Sequence, residues 1–452
     1  MQTKMRMNWL SLLAICFTVG QPALAANTPA ELYQALRPCI DEKTFAVVHL
    51  DLTRFDVDAL VDYAVGQMNK HAGPDMAKHA EFGLKKFREH AGARLNSLAE
   101  AGGRDIFAVF SMYDIPYFFL AVPIPPGGNQ VRLYKQVQNI GEDFNVGDVE
   151  THVSGQLIMF GLERTITRLK TLTTAPSPAL EAGLKVCADK TVKIMLFPSS
   201  DQRRIIGEMT PQIPVESGMI QPMTAGDDLK WAALGLDGPP AISLNLTIKS
   251  SSAEGAGRML ALVNGLYALA AQHPRAQEAI PELDRILERL TPRRQGDSLR
   301  LELDAAAANS LIDDIVAPSL VRVHAYATRM ACGTNMSGLG KALLIHSNDY
   351  NDELPPDLET LIRTVEMTPR GLICPATGLK ESFIYRGAGL TTSAIPMMIT
   401  VYETAGNHGG GGRNVLFLDS HVEWVAEERF QELVKKDNEY RRKKGLPVLP
   451  AQ

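Results

Sequence analysis

The amino-acid sequence predicts an α+β fold: an N-terminal tandem of two modules, each with helices and a β-hairpin, followed by a C-terminal domain of different character. Three observations predict it. Apolar runs of strand length alternate with longer helical stretches between residues 45 and 316. Their order of strand, helix, hairpin, helix, strand and helix begins at residue 45 and again at residue 191. From residue 317 onward the pattern changes to a long helix, a polar loop and short strands.

The first predicted module covers residues 26–175. A strand over residues 45–50 opens it, and Pro74 breaks the long helical stretch that follows. Two apolar runs on either side of Pro116 predict a hairpin, since proline and its polar neighbours favour a turn. The module closes with a short helix, two strands and a helix that ends near residue 172.

The second predicted module covers residues 176–316. It opens with a strand over residues 191–197 and continues with a hairpin at Pro239 and a helical stretch broken at Pro274. A strand and a helix complete the repeated order. Because few residues are identical between the two modules, a single irregular α+β domain stays open as the alternative.

The N-terminal residues 1–25 predict a cleavable signal peptide. Lys4 and Arg6 give a positive start, an apolar run follows, and a small-x-small triplet ends at Ala25. The apolar run is too short to cross a bilayer, which requires about 20 residues. We therefore expect an exported protein, periplasmic or secreted, without a transmembrane helix after cleavage. An uncleaved anchor or a lipoprotein modified at Cys16 is the alternative.

The composition limits the classes of partner and of chemistry. A hydrophobic fraction of 45% is ample for folded cores, and a formal net charge of −5 argues against nucleic acid as a main partner. The sequence contains no glycine-rich phosphate loop, no Gly-x-Ser-x-Gly elbow and no His-Glu-x-x-His motif. These absences favour a non-enzymatic protein whose partner is an unknown protein or another envelope component.

Four cysteines follow the predicted signal: Cys39, Cys187, Cys332 and Cys374. Outside the cytoplasm an even number favours disulfides, and four cysteines allow three pairings. No two have the short spacing of a zinc knuckle or a redox pair, so metal ligation by these thiols is not expected. His49 lies on an apolar strand and is expected to be a hydrogen-bonded core histidine.

Residues 317–452 carry a series of short motifs. They are a long helix with Cys332, a polar loop ending at Pro355-Pro356, the pair Cys374-Pro375, His408 before four glycines, and an Asp419-Ser420-His421 turn between two apolar strands. In combination, over about residues 317–450, these motifs resemble the pseudopilin-like exported proteins of planctomycetes and related bacteria. The resemblance implies a long helix packed on a small antiparallel sheet, and a role like that of type II secretion components.

The chain departs from this family in three ways. Ten residues, rather than nine, separate His408 from Asp419. Ser420 replaces the family's glycine, so the turn has to form without glycine's freedom at positive φ. The family's apolar N-terminal helix is missing upstream of Ala317, so we do not expect assembly into a filament through such a helix.

The resemblance also implies a disulfide between Cys332 and Cys374, because both cysteines fall at positions of the motifs. A strand-like segment ending at Cys374 would lie back along the long helix. Cys39 and Cys187 would then be left to pair with each other, a pairing that stays open.

Two sets of side chains are candidates for binding calcium or another divalent ion. His408, Asp419 and His421 would converge through imidazole and carboxylate groups. The alternative makes Asp419 a hairpin turn residue whose carboxylate accepts from local backbone N–H groups. The second set resembles the acidic calcium-binding loops of some type II secretion pseudopilins, with a solvated loop as the alternative. Its members are Asp349, Asp352, Glu353 and Asp357.

The last helical pattern covers residues 427–444, with Phe430 and Val434 on its apolar side. Arg441 and the three basic residues after it fall in the final turn, where cations complement the helix dipole.

The sequence as a whole predicts a non-enzymatic extracytoplasmic protein that serves binding or cell-envelope assembly. The alternative is a secreted metal-dependent hydrolase or ligand-processing enzyme that uses His408, Asp419 and His421.

Overall fold

The computed structural model describes residues 27–72, 74–144, 148–209, 213–215, 218–220, 226–280, 282–374, 382–408 and 411–448. The predicted signal peptide, residues 1–25, lies outside this range. The chain forms two compact units, one ending at Pro318 and the other beginning at Ser319. Both mix helices with antiparallel sheet, which confirms the α+β class. None of the described helices is both long and apolar enough to cross a membrane.

The first half of the first unit contains five helices and five strands among the described residues. The helices are α1 (Pro29–Leu36), α2 (Val57–His71), α3 (Pro74–Glu100), α4 (Gln130–Phe144) and α5 (Glu163–Lys170). The strands are β1 (Thr44–Asp51), β2 (Asp105–Ser111), β3 (Phe119–Pro123), β4 (Val149–Ser154) and β5 (Leu157–Leu162). The predicted break at Pro74 is confirmed, since α2 ends before it and α3 begins at it.

The second half of the unit continues with further helices and strands. The helices are α6 (Pro178–Val186), α7 (Ser200–Met209), α8 (Ala253–Gln272), α9 (Pro274–Ala279), α10 (Leu283–Arg289) and α11 (Ala305–Leu311). The strands are β6 (Val192–Leu196), β7 (Ile213–Val215), β8 (Gly218–Ile220), β9 (Leu229–Asp237), β10 (Ser243–Ser250), β11 (Arg293–Gln295) and β12 (Ser298–Leu303).

Ten of these strands, within the described residues, form one antiparallel sheet in the order β11-β12-β10-β9-β6-β1-β2-β3-β5-β4. At its centre β1 pairs with β6, with Val48 opposite Ile194. Counted outward from this pair, the strands of the two halves follow the same order. The predicted boundary at residue 175 therefore falls within one continuous sheet, while β7 and β8 form a separate hairpin.

Alternating side chains place an apolar core on each face of the first half of this sheet. On β2, Ile106 and Phe110 join the core with Leu98 of α3, whereas Phe107 joins the opposite core with Leu180 of α6. This alternation follows from the two-residue period of a strand. A smaller core lies between α8 and β12 in the second half.

The second unit is built from three helices and a four-stranded antiparallel sheet among its described residues. The helices are α12 (Ala317–Asp349), α13 (Leu358–Val365) and α14 (Glu427–Lys444). The strands are β13 (Phe383–Tyr385), β14 (Ile399–Glu403), β15 (Gly412–Phe417) and β16 (Val422–Ala426), paired in that order. The predicted long helix and final hairpin correspond to α12 and to β15 with β16.

Two apolar clusters flank this smaller sheet. On one side Met336 and Leu339 of α12 share a core with Leu416 of β15. On the other side Phe430 of α14 packs with Val415. The alternation along β15 thus directs neighbouring residues toward two different helices.

Candidate metal centre

Four side chains with metal-ligating atoms come together in the second unit: Cys332, Cys374, Glu403 and His408. Each offers one such atom, the four atoms all lie within 4.8 Å of one another, and all four residues are buried. In the part of the chain that the structure describes, no other group of three or more such residues is found. The sequence spacing of these cysteines gave no indication of metal ligation, but the fold brings residues distant in sequence together in space.

The fold brings the four residues from separate segments. Cys332 lies on α12, one turn before Met336 on the apolar side of that helix. Glu403 is the last residue of β14, and His408 lies in the loop between β14 and β15. Cys374 follows a short 3₁₀ turn and is 42 residues from Cys332 along the chain. The cluster therefore connects α12 to the end of β14, an inner strand of the sheet.

The distances within the cluster are short. The two sulfur atoms are 3.2 Å apart, and Cys374 Sγ lies 3.9 Å from His408 Nε2. His408 Nε2 lies 3.0 Å from Glu403 Oε1. The other carboxylate oxygen, Oε2, accepts a hydrogen bond of 2.9 Å from the backbone N–H of Asn414. This bond orients the carboxylate so that Oε1 faces the sulfur and nitrogen atoms.

Charge favours an ion pair between Glu403 and His408. Burial opposes both charged forms, but contacts with Cys374 and Glu403 raise the pKa of His408 to about 9. Against the effect of burial, hydrogen bonds from His408 and Asn414 lower the pKa of Glu403. The contact with Cys374, together with burial, raises the pKa of the Cys332 thiol. An incoming metal ion would therefore have to displace protons from this cluster.

The predicted disulfide between Cys332 and Cys374 is not formed. An S–S bond measures about 2.05 Å, and the observed sulfur separation of 3.2 Å is well beyond it. Cys39 and Cys187 do not form a disulfide either. Burial raises the pKa of Cys39 to about 12 and that of Cys187 to about 11, which disfavours the reactive thiolate form of both residues.

The predicted set of His408, Asp419 and His421 is not brought together. Asp419 and His421 lie in the β15–β16 turn, where Asp419 Oδ1 accepts from the His421 backbone N–H at 3.2 Å and also contacts Nδ1 of its ring. Both side chains are well exposed, whereas His408 is buried in a different cluster. Asp419 therefore acts as a turn residue, as the alternative interpretation held.

The predicted calcium loop does not gather its carboxylates within the described residues. Asp357 is the N-cap of α13 and accepts a hydrogen bond of 2.6 Å from the Thr360 N–H. Glu353 forms a backbone bridge with Thr391, and Asp349 is the last residue of α12. The backbone carbonyl of Asp352 accepts a hydrogen bond of 2.9 Å from the Thr392 N–H. The interpretation as a solvated loop therefore fits better.

The arrangement favours a closed metal site over nucleophilic catalysis. A relay from a nucleophile through histidine to a carboxylate uses both ring nitrogens. Here Nε2 of His408 faces both Cys374 and Glu403, and Nδ1 is buried without a hydrogen-bond partner among the described residues. Four protein ligands are also the full set for a structural zinc site, whereas catalytic zinc keeps a position open.

The sequence indicated Cys332 and Cys374 as a disulfide pair and His408 as a metal ligand, but it did not indicate Glu403. Glu403 is the last residue of an apolar strand, where a polar residue is common, so its position does not indicate a metal ligand. One signal was present, since two cysteines and a histidine, all zinc-ligand types, fall within one domain of unusual motifs. Their separations of 42 and 34 residues match no short zinc motif.

A second feature, in the first unit, is a cleft of about 760 Å³ beside β11, β12 and α10. Its charged lining is mostly basic: Arg285, Glu288, Arg289, Arg293, Arg300 and Glu302. Arg293 of edge strand β11 lies directly opposite Arg300 of β12. Both arginines are exposed, so the cleft concentrates positive charge in a protein of negative net charge.

Comparison with protein-family models, with curated proteins and with solved structures gives no match.

Proposed function

We propose that this chain is an exported, non-enzymatic binding protein of the cell envelope, with a pseudopilin-like C-terminal domain. The observation that carries the binding function is the arginine-lined cleft of the first unit. The lack of a glycine-rich phosphate loop, a Gly-x-Ser-x-Gly elbow and a His-Glu-x-x-His motif in the sequence supports a non-enzymatic role.

The ligand class is an anion that carries phosphate, sulfate or carboxylate groups. Like charges directly opposite each other destabilise a strand pair, so Arg293 and Arg300 repel one another at the rim of the cleft. A bound anion would offset this repulsion, and arginine forks match the geometry of phosphate and carboxylate oxygens. Arg285 is paired with Glu282 at 3.1 Å, and the other three arginines outnumber the two glutamates of the lining, so the cleft keeps a net positive charge.

Calorimetric titration with inorganic pyrophosphate and with dextran sulfate tests the proposal. We expect both probes to bind the wild-type protein. The double variant Arg293→Gln/Arg300→Gln should bind them at least about tenfold more weakly, because the loss of one hydrogen bond to a charged group costs about 1.5–3 kcal/mol. Arg204→Gln, on the exposed side of α7, is the matched control and should bind as the wild type does. Uncharged dextran should not bind. Unchanged affinity in the double variant, or no binding of either anion, would refute the function.

Export is a separate part of the proposal. It is supported by the positive start, apolar run and small-x-small triplet before Ala26. Expression of the full chain in a Gram-negative host, followed by fractionation and N-terminal sequencing, should give an extracytoplasmic protein that begins at Ala26. A cytoplasmic protein that retains residues 1–25 would contradict it.

We also propose that residues 26–175 and 176–316 are two copies of one module. The shared strand order on either side of the β1–β6 pair supports this. In a crystal structure of the first unit, superposition of residues 45–172 on residues 191–316 should match β1 with β6 and β2 with β9. A best superposition that matches strands of unlike position would exclude duplication.

The pseudopilin-like assignment of the second unit rests on its motifs and on the packing of α12 against the sheet. We do not propose assembly into a filament, because the family's polymerising helix is missing upstream of Ala317.

A further inference from the structure

We infer that Cys332, Cys374, Glu403 and His408 bind one structural zinc ion. The inference is independent of the anion cleft, which lies in the other unit, so either can fail without the other. It rests on the ligand types, on the distances between them, on their burial and on the positions of the four segments that carry them.

The ligand set selects the metal. Two thiolates and an imidazole suit zinc, whereas calcium and magnesium prefer sets made wholly of oxygen ligands. A single carboxylate oxygen completes a tetrahedral set of four, and Zn²⁺ is most often held by such a set in structural sites. Thiolates also bind Cu(I) and iron–sulfur clusters, but a set of two thiolates, one imidazole and one carboxylate oxygen matches the usual zinc ligands best.

The distances fit a tetrahedron around one ion. Zinc–sulfur bonds of about 2.3 Å and zinc–nitrogen bonds of about 2.0 Å require ligand atoms some 3.3–3.8 Å from one another. The observed sulfur–sulfur separation of 3.2 Å is about half an ångström shorter than the tetrahedral value for two such bonds. The separations of 3.9 Å from sulfur to Nε2 and 3.0 Å from Nε2 to the carboxylate differ from their tetrahedral values by a few tenths of an ångström. Shifts of about half an ångström or less would therefore seat the ion.

Burial requires that the charges of the ligands be balanced in the bound state. With an ion bound, two thiolates and a carboxylate would carry three negative charges, and such charges are costly in an apolar interior unless a counter-charge is present. A divalent cation supplies it. The neighbouring groups are also fixed: the Asn414 N–H holds Glu403 Oε2, and Asn414 Nδ2 donates to the Arg329 carbonyl at 3.0 Å. These bonds hold Oε1 toward the ion, as groups around metal ligands commonly do.

The bound ion would cross-link four segments of the second unit. Its ligands come from α12, from the segment after the 3₁₀ turn, from the end of β14 and from the loop before β15. A metal that joins four distant segments stabilises the folded chain by its binding free energy, because the unfolded chain holds no such site. The ion takes the place that the sequence analysis gave to a disulfide.

The test uses the full chain, purified without metal-chelating tags and under reducing conditions. Elemental analysis should find one zinc per chain, and replacement by cobalt should give the thiolate-to-cobalt charge-transfer absorption of a tetrahedral site. Cys332→Ser and Cys374→Ser should reduce bound zinc to below about a tenth per chain. In Glu403→Gln, zinc affinity should fall by about tenfold or more, since even an outer-shell change costs that much.

The matched controls are Cys39→Ser and Cys187→Ser, which replace buried cysteines of the first unit, and His421→Ala in the exposed turn. All three should keep one zinc. If a ligand variant does not fold, the alkylation rate of the wild-type protein tests the inference instead. Zinc should slow the alkylation of Cys332 and Cys374 at least about tenfold, and a chelator should restore the faster rate. A folded, reduced wild type without stoichiometric zinc, unaltered alkylation, or a Cys332–Cys374 disulfide in protein taken from the envelope would overturn the inference.

Discussion

Arg386 Nη2 donates a hydrogen bond of 2.6 Å to Asp437 Oδ2, and both side chains are almost completely buried. The same carboxylate oxygen accepts from Arg441 Nε at 2.9 Å. Arg441 Nη2 in turn donates to the backbone carbonyl of Arg386. Since Asp437 and Arg441 lie on α14 and Arg386 directly follows β13, one carboxylate and two guanidinium groups fix the helix to the sheet.

We expect Asp437→Ala to lower the free energy of unfolding by about 3–5 kcal/mol, because it removes the carboxylate from between two buried guanidinium groups. Urea denaturation followed by circular dichroism measures the loss. The control is Glu423→Ala, which breaks the exposed pair with Arg429 (2.6 Å) and should cost no more than about 1 kcal/mol. Equal losses in the two variants would contradict a structural role for the buried pair.

A second prediction concerns the close approach of α12 to the β15–β16 turn. A Cβ on Gly340 would lie 2.8 Å from Leu416 Cδ1 and 3.1 Å from Ser420 Cα, so Gly340→Ala should destabilise by about 1–3 kcal/mol. Gly338 lies on the same helix, and a Cβ there meets nothing within 4 Å. Gly338→Ala should therefore stabilise by up to about 1 kcal/mol through helix propensity. Thermal unfolding of both variants checks the opposite signs, and a shift in the same direction would count against the packing.

Much of the secondary structure could be predicted because it leaves a local periodic pattern. The long helix α12 and the final hairpin follow from spacings within a few residues. The pairing of β1 with β6 could not be predicted, because the two strands lie about 144 residues apart and no local pattern indicates their contact. The same order of strands in two halves was visible, but the single sheet that they form was not.

The candidate metal site, too, could be predicted only in part from the sequence. Cys332 and His408 attract attention as residue types, yet only the fold brings them to Glu403. At Arg441 the sequence places a basic residue in the last helical turn, where cations complement the helix dipole, and gives no indication of burial. In the structure this arginine is 1% exposed, because a buried aspartate one turn earlier pairs with it.

A third prediction follows from the backbone of Ser420, whose φ is +67°. An L-residue pays about 1–2 kcal/mol in this left-handed region, while glycine adopts it freely at a smaller entropic cost. Ser420→Gly should therefore raise the free energy of unfolding by up to about 1 kcal/mol. Gly445 has φ +68° and open space around it, so Gly445→Ala should lower it by a similar amount. Denaturation curves that show no difference between Ser420→Gly and the wild type would indicate that the serine carries a compensating contact.

The last prediction concerns His49, which the sequence placed in the core and which the structure finds fully buried at the centre of the large sheet. Its Nε2 lies 2.7 Å from Asp105 Oδ1, and its Nδ1 lies 3.3 Å from Lys193 Nζ. Burial lowers the pKa of His49, and the charge of Lys193 acts in the same direction, whereas Asp105 and Asp51 oppose them without reversing the shift.

The sign of the pH effect follows from this lowered pKa. In the unfolded chain His49 binds a proton near its ordinary pKa of 6.5, while the folded chain resists protonation until a lower pH. The unfolded state therefore holds more protons below pH 6.5, and the free energy of unfolding falls as the pH falls through that value. Between pH 7 and pH 5 the wild type should lose more stability than His49→Gln, which has no imidazole at this position. Chemical denaturation at several pH values measures the two slopes, with His152→Gln on strand β4 as a control for the loss of one histidine from the same sheet. Equal slopes for His49→Gln and the wild type would show that His49 contributes nothing to the acid sensitivity of the fold.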